Sequence, residues 1–319
     1  MILLRYIALL VAGSQIIPGA GIVRGEIYPN KPIRIVTSET GGGNDIPTRL
    51  IAQGISVPLG QNVIVENRPS SVTGELVSRA VADGYTLLVH GSNFWLGPLL
   101  QKTPYDPVRN FSPITLAAST PNVLVVHPSL PVKLVKDLIT LAGAKPGLLN
   151  YASGSTGSSN HLAAELFKAM AGVNIVRIPY NGTGRALNGL MGGEVQLMFP
   201  NAGGATPHLK SGRLRALAVT SATPSVLGPG LPTVAASGLP GYESVNTLGI
   251  YAPVRTPAAI ITRLNQEIVR FLKTPEAKEQ LLNSGVEVVG SSPEQLGATM
   301  KSEILRIGKV IKDAGIKAD

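Results

Sequence analysis

Two short stretches rich in glycine and in hydroxyl or amide side chains are the strongest candidates for binding chemistry in this sequence. Each follows a strand-like run and precedes a helix-like run, so each is predicted to lie at a helix N-terminus. Backbone N–H groups and the positive end of the helix dipole make such a position suitable for an anion. The pair suggests a small acidic ligand held between two lobes. The stretches are Gly41, Gly42, Gly43, Asn44 and Asp45, and Ser153, Gly154, Ser155, Thr156, Gly157, Ser158 and Ser159.

Neither stretch matches a phosphate-binding or catalytic pattern. The glycine triplet lacks the Gly-Lys-Ser/Thr of a P-loop and the Gly-x-Gly-x-x-Gly of a dinucleotide site, so a tight turn between strand and helix is its structural alternative. The serine-rich stretch does not match Gly-x-Ser-x-Gly. There is no cysteine, and the histidines show no metal-ligand spacing. We therefore predict no catalytic residue, no metal and no cofactor.

Three residues have both a structural and a ligand-binding interpretation, and two asparagines are candidates from their positions alone. Asp45 either caps its helix or accepts a hydrogen bond from a ligand. His161 either caps a helix or reaches the cleft. Arg185, which follows a third junction between loop and helix, is either solvated or suited to bidentate carboxylate recognition. Asn93 and Asn201 follow or end strands, where the loops of an open parallel sheet line the binding crevice.

Length and charge limit the classes of function. A chain of 319 residues fits two domains, each large enough for its own core. The net charge of +9 favours acidic ligands. Only 4% of the residues are aromatic, and no basic block or basic stripe with interspersed aromatics is present, so nucleic acid is not an expected partner.

The N-terminus is typical of a secretory signal peptide. Arg5 and the free amine precede an apolar segment, and small residues near Gly25 offer cleavage points. A membrane-spanning helix is the alternative, but Gly13 and Pro18 interrupt the segment too early to cross a bilayer. We assign residues 1–25 to the signal peptide.

From Pro32 onward, short β-branched runs alternate with amphipathic helices, which predicts parallel sheets covered by helices. Residues 222–242 are rich in proline and glycine and predict a long loop. Thr256, Thr274 and Ser292 each precede a proline and are predicted to cap three C-terminal helices. The predicted strands are 33–37, 63–66, 85–89, 123–127, 149–153, 175–178, 195–199 and 214–220, and the helices between them include 73–82, 134–142 and 185–191.

This order of elements predicts two lobes. Residues 26–122 and 221–319 form lobe I, and residues 128–213 form lobe II. The chain is predicted to cross between the lobes at 123–127 and at 214–220. Two crossings make a stiff hinge that can still close on a ligand.

Motifs along most of the chain resemble those of the Bug family, the extracytoplasmic substrate-binding proteins of tripartite tricarboxylate transporters. The resemblance runs from about Tyr28 to the C-terminus. It is carried by Tyr28-Pro29-Asn30-Lys31-Pro32, Val65-Glu66-Asn67-Arg68-Pro69, Asp83-Gly84-Tyr85-Thr86, Pro104-Tyr105-Asp106-Pro107, Asn150-Tyr151-Ala152-Ser153, His161-Leu162-Ala163, Pro179-Tyr180-Asn181-Gly182, Leu214-Arg215-Ala216-Leu217-Ala218-Val219-Thr220 and Leu231-Pro232-Thr233-Val234.

The resemblance implies the fold of a type II periplasmic binding protein, with two α/β lobes, a central ligand cleft and hinge strands. It implies a periplasmic, monomeric protein that binds a small carboxylate and presents it to membrane permease subunits. The carboxylate contacts implied by the motifs are 41–45 and 153–159, with Asn201 as a further contact. A carboxylate sensor or scaffold, or a hydrolase on the same scaffold, is the alternative.

Three departures from the family pattern concern the ligand rather than the fold. Glu39 lies in Thr37-Ser38-Glu39-Thr40, where many members have Pro-Phe-x-Pro. Pro200 stands where relatives often have the aspartate of Phe-Asp-Asn, and Arg185 where many have proline. We expect ligand discrimination to fall to Glu39, Arg185 and Asn201.

Overall fold

The structure is a computed structural model that describes residues 28–316 apart from Glu39, Gly41, Gly42 and Ser155. The predicted signal peptide therefore lies outside the described residues. The strands are β1 (Ile33–Thr37), β2 (Val63–Asn67), β3 (Thr86–Gly91), β4 (Phe111–Pro121), β5 (Val123–Val126), β6 (Asn150–Ser153), β7 (Val176–Pro179), β8 (Leu197–Met198), β9 (Arg215–Val219), β10 (Val245–Pro253) and β11 (Glu287–Val288).

The α-helices follow the predicted alternation through most of the chain. They are α1 (Asp45–Leu59), α2 (Ser70–Ser78), α3 (Asn93–Leu96), α4 (Val135–Ala144), α5 (Ser159–Ala171), α6 (Thr183–Met191), α7 (Ala202–Lys210), α8 (Ala258–Leu272), α9 (Pro275–Asn283) and α10 (Pro293–Asp313). The segment 222–242 contains no helix or strand, as its proline and glycine content predicted. None of the helices in the described part of the chain is long and apolar enough to cross a membrane.

Two separate sheets form the two lobes. The first has the strand order β11-β4-β10-β3-β1-β2, in which β1 is parallel to β2 and β3 while β10 is antiparallel to β3 and β4. The second has the order β7-β6-β8-β5-β9, in which β6 is parallel to β7 and β8. The predicted two-lobe α/β architecture is thus confirmed.

Buried apolar stripes dock the helices on the sheets. On α1 the buried face includes Thr48, Ile51 and Ile55. Ile46, although apolar, is 52% exposed. It precedes Thr48 by two residues, and at about 100° per residue this places it on the opposite side of the helix.

Two of the three predicted C-terminal caps form as expected. The Thr274 hydroxyl accepts a hydrogen bond from the backbone N–H of Ala277, and Ser292 makes a reciprocal capping box with Gln295. The prediction for Thr256 is wrong, because its hydroxyl donates to the Pro253 carbonyl instead. The Thr256 hydroxyl therefore stabilises the turn between β10 and α8 and does not cap the helix.

The chain passes between the sheets at two adjacent points. Asn122 alone separates β4 in the first sheet from β5 in the second, and Thr220 follows β9. The segments 123–127 and 214–220, predicted as crossings, lie mostly within β5 and β9 of the second sheet. The outgoing passage is therefore a single residue, whereas residues 220–244 separate β9 from β10 on the return. Thr233 in this segment still pairs with Val219 of the second sheet, so the assignment of 221–242 to lobe I is wrong.

One buried hydroxyl joins these points. The Thr220 side chain is fully buried and accepts a hydrogen bond from the backbone N–H of Asn122 at 2.8 Å. The same hydroxyl can donate to a backbone carbonyl. Its Oγ1 lies 2.9 Å from the carbonyl oxygen of Asn122 and 2.6 Å from that of Ser244. Ser244 directly precedes β10, on which the chain re-enters the first sheet. The outgoing and returning chains are thus tied together at the hinge.

We expect Thr220→Val to destabilise the protein by about 1–3 kcal/mol, because a valine of similar size leaves the buried N–H of Asn122 without an acceptor. Urea unfolding measures the change. The control is Thr206→Val on α7, whose hydroxyl donates to the Ala202 carbonyl within its own helix. Equal stabilities for the two variants would contradict a structural role for the Thr220 hydroxyl.

Candidate ligand-binding cleft

A cleft of about 810 Å³ lies between the two sheets. Its walls include the carboxyl ends of parallel strands and the loops and helices that follow them. Lobe I contributes Gly43 and Asn44 after β1 and His90 at the end of β3, while lobe II contributes Thr156 after β6 and Asn201 after β8. This is where open α/β sheets bind ligands, because their loops diverge there and leave a crevice.

Helix N-termini from both lobes face this cleft. Asn44 precedes α1 and Ser70 opens α2 in lobe I, while Ser158 precedes α5 and Asn201 precedes α7 in lobe II. Each N-terminus carries partial positive charge and backbone donors. Several of them around one cavity favour an anion over a neutral guest.

A half-buried arginine supports the serine-rich loop from β7. Arg177 on β7 donates from Nε to the Ser153 hydroxyl (2.8 Å), from Nη1 to the Thr156 hydroxyl (2.9 Å) and from Nη2 to the Gly154 carbonyl (3.1 Å). Three hydrogen bonds from one rigid guanidinium fix the loop and add a positive charge beneath it.

The first turn of α5 completes this support. The Asn160 side-chain oxygen accepts from the backbone N–H of Gly154 (3.1 Å) and from the Ser158 hydroxyl (2.7 Å). Nδ1 of the buried His161 accepts from the backbone N–H of Gly157 (3.0 Å). The loop is therefore held in shape by its own helix before any ligand enters.

The cleft also has a charged wall formed by α10 and the loop after α3. Arg306 and Glu303 line it from α10, and Lys102 lines it from the loop. Burial raises the pKa of the Glu303 carboxyl, while the Trp95 indole N–H (3.0 Å) and the nearby Arg306 oppose the shift. The Arg306 guanidinium is anchored by a hydrogen bond to the Glu243 carbonyl.

The structure brings eight of the sequence-predicted site residues to the cleft wall: Gly43, Asn44, Asn93, Thr156, Gly157, Ser158, Ser159 and Asn201. Gly41, Gly42 and Ser155 lie outside the described residues, as does Glu39. Asn201 has a second role, since its side-chain oxygen accepts from the backbone N–H of Gly204 and caps α7.

Asp45, Ser153 and Arg185 do not line the cleft, each for a different reason. Asp45 is 3% exposed as the first residue of α1, and its carboxylate pairs with Arg49 and accepts from the Asn67 amide. Ser153 is fully buried beneath its loop, where it accepts from Arg177. Arg185 is exposed in the first turn of α6.

Sequence reasoning missed several lining residues. Ser70 and Ser71 open α2 directly after β2 and Pro69, and this junction of strand and helix was a readable signal. Lys102 and Arg306 carried no such signal, because one lies on a loop and the other comes from a helix about two hundred residues further along the chain.

Comparison with protein families places these features in a known group. The model of the TctC family, the tripartite tricarboxylate transporter family receptor, matches residues 48–316. BugT of Bordetella pertussis is 33% identical over 322 residues, which cover 99% of this chain and 98% of BugT.

Solved structures show the same similarity. Rpa4515 of R. palustris, solved with adipate, is 36% identical with a TM-score of 0.76, and the match covers 91% of this chain and 99% of that one. MatC from Rhodopseudomonas palustris, solved with bound malate, is 27% identical with a TM-score of 0.72, and the match covers 89% of this chain and all of MatC.

We expect Arg177→Met to loosen the serine-rich loop, because three hydrogen bonds to it disappear. Amide hydrogen exchange at 153–159 should accelerate at least about tenfold, which corresponds to a loss of about 1.4 kcal/mol in local stability. Arg185→Met is the matched control, since that arginine is exposed and lies outside the cleft. Unchanged exchange in the Arg177 variant would show that the loop holds its shape without the guanidinium.

Proposed function

This chain belongs to the tripartite tricarboxylate transporter receptor family, as its motifs predicted, and we propose on that basis that it captures a small carboxylate by closing its two lobes. The family consists of transporter receptors rather than enzymes. The proposal includes a periplasmic location, delivery of the closed form to membrane permease subunits, and a monomeric receptor.

The observation that carries the proposal is the meeting of helix N-termini from both lobes in one cleft. A carboxylate there can accept hydrogen bonds from each lobe at once. Such charge-assisted bonds contribute about 1.5–3 kcal/mol each, and micromolar affinity requires only about −8 kcal/mol. A few charge-assisted hydrogen bonds therefore suffice for micromolar affinity, even after the free-energy cost of association and of lobe closure.

Within this proposal the loop residues have distinct roles. Gly43, Asn44 and Ser158, which line the cleft, are proposed contacts of the carboxylate. Gly41, Gly42 and Ser155 are proposed contacts as well. Arg177 positions the lobe II loop without lining the cleft. The basic wall at Lys102 and Arg306 favours a ligand with further negative charge, which is consistent with the dicarboxylates bound by Rpa4515 and MatC.

Contact between the lobes across the cleft supports closure as part of binding. A Cβ built on Gly157 of lobe II would lie 2.3 Å from the Leu100 Cδ1 of lobe I. Gly157 also has φ of 79°, a conformation that L side chains rarely adopt. A side chain at this position would therefore strain the loop backbone and displace the Leu100 side chain.

A thermal-shift panel tests the function directly. At a concentration of about one hundred times Kd, a bound carboxylate should stabilise the protein by about 2.7 kcal/mol and raise Tm by roughly 5 °C. The panel comprises adipate, malate, succinate, glutarate and benzoate, with adipamide and succinamide as uncharged controls. Stabilisation by the amides but by none of the acids would refute an anion site.

We expect Gly157→Ala to weaken the best acid of this panel about tenfold, because the left-handed backbone and the approach to Leu100 both disfavour a side chain. Isothermal titration calorimetry measures the affinity. Gly172→Ala is the matched control, since Gly172 has φ of 64° but nothing within 4 Å of its Cβ position. Equal affinities for the two variants would argue against contact between the lobes during binding.

A further inference from the structure

Arg306 on α10 uses few of its hydrogen-bond donors, unlike two other half-buried arginines. A guanidinium carries five N–H donors. Arg177 donates three hydrogen bonds to the serine-rich loop, and Arg215 donates three to backbone carbonyls within residues 128–132. Arg306 donates one, from Nη1 to the Glu243 carbonyl, and its other donors have no acceptor in the described part of the chain.

The unused donors of Arg306 remain accessible. The residue lines the cleft, and 30% of its side chain is exposed. Among residues 28–316 as described, the buried polar side-chain atoms without a hydrogen bond include no nitrogen of Arg306. An acceptor group of a bound ligand can therefore reach the guanidinium, where a hydrogen bond to the cation is stronger than one between neutral groups.

Arg306 and the N-terminus of α5 both adjoin the hinge. The acceptor of Arg306, the Glu243 carbonyl, belongs to the residue before Ser244, whose own carbonyl lies 2.6 Å from the Thr220 hydroxyl. At the other passage of the chain, the Asn122 side-chain amide donates to the carbonyl of the first residue of α5 (3.3 Å). Because both anion-binding groups border this end of the cleft, one small ligand can contact both.

Glu303 lies beside Arg306, one turn earlier on α10. Its Oε1 is 3.7 Å from Nη2 of Arg306, which is longer than a hydrogen bond. Its Oε2 accepts from the Trp95 indole N–H at 3.0 Å, which holds the carboxylate in place. The guanidinium is therefore not saturated by Glu303, but an anion that binds to Arg306 is repelled by the neighbouring carboxylate.

We propose that Arg306 determines the selectivity of this receptor by pairing with a second anionic group of the bound acid, and that Glu303 weakens this pairing. The proposal rests on the proposed function, since it assumes that a first carboxylate occupies the helix N-termini. A planar guanidinium can hold a carboxylate through two parallel hydrogen bonds. The receptor should therefore distinguish an acid with a charged far end from one of the same shape with a neutral far end.

Diacids and their half-amides test the proposal, because a primary amide has the shape of a carboxylate without its charge. Titration calorimetry near neutral pH compares succinate with succinamate, glutarate with glutaramate, and adipate with adipamate. The wild-type protein should bind the diacid at least about tenfold more tightly in the pair of best-fitting length. In Arg306→Met this preference should fall to about twofold or less, through a loss of affinity for the diacid.

Two further variants protect the test against a general loss of structure. Glu303→Gln keeps an acceptor for the Trp95 indole but removes the negative charge beside Arg306, so the preference for the diacid should rise at least about threefold. A damaged fold would not produce such a gain. Lys309→Met is the control on the same helix, since Lys309 pairs with Asp313 away from the cleft lining, and it should leave the preference unchanged.

The outcomes separate this proposal from the function itself. Equal binding within every pair, or a preference that survives Arg306→Met, overturns the role of Arg306 while capture of a carboxylate stands. An equal loss for both members of each pair in Arg306→Met, or an unchanged preference in Glu303→Gln, also overturns it. So does a preference that Lys102→Met abolishes and Arg306→Met does not. If neither the diacids nor the half-amides bind, both proposals fail.

Discussion

The double passage of the chain between two sheets is the constraint on which the rest of this structure depends. Asn122 and Thr220 lie side by side at the hinge, and the buried Thr220 hydroxyl links them to Ser244, where the chain returns. With both connections tied at one place, each lobe can keep its own sheet while the cleft edges move together. The hinge thus fixes which loops face each other.

Within that frame, the binding chemistry divides between backbone and side chains. Helix N-termini offer donors that can bind the carboxylate of almost any acid, and Arg177 gives the lobe II loop its shape and additional positive charge. Selectivity then has to come from groups beyond the carboxylate. The cations Lys102 and Arg306 on the cleft wall provide one such environment.

The sequence predicted the fold well because local patterns decide most of it. Alternating strands and helices, the Ser292 capping box and the proline-rich loop at 222–242 all have short-range signals. β4 and β10 were missed, since neither has a regular alternation and both are stabilised by pairing with each other over a long sequence distance. α7 was missed because two glycines and Pro207 obscure its pattern.

The site was predicted only in part, because the direction of a side chain depends on packing. The loops after β1 and β6 were found, but Arg185 lies outside the cleft while Arg306, from a distant helix, lines it.

The most direct measurement is a crystal structure of the complex with the acid that most raises Tm. The account predicts carboxylate oxygens about 2.7–2.9 Å from donors at the N-terminus of α5 and at a lobe I helix N-terminus. An acid bound to one lobe only, or outside the cleft, would contradict it.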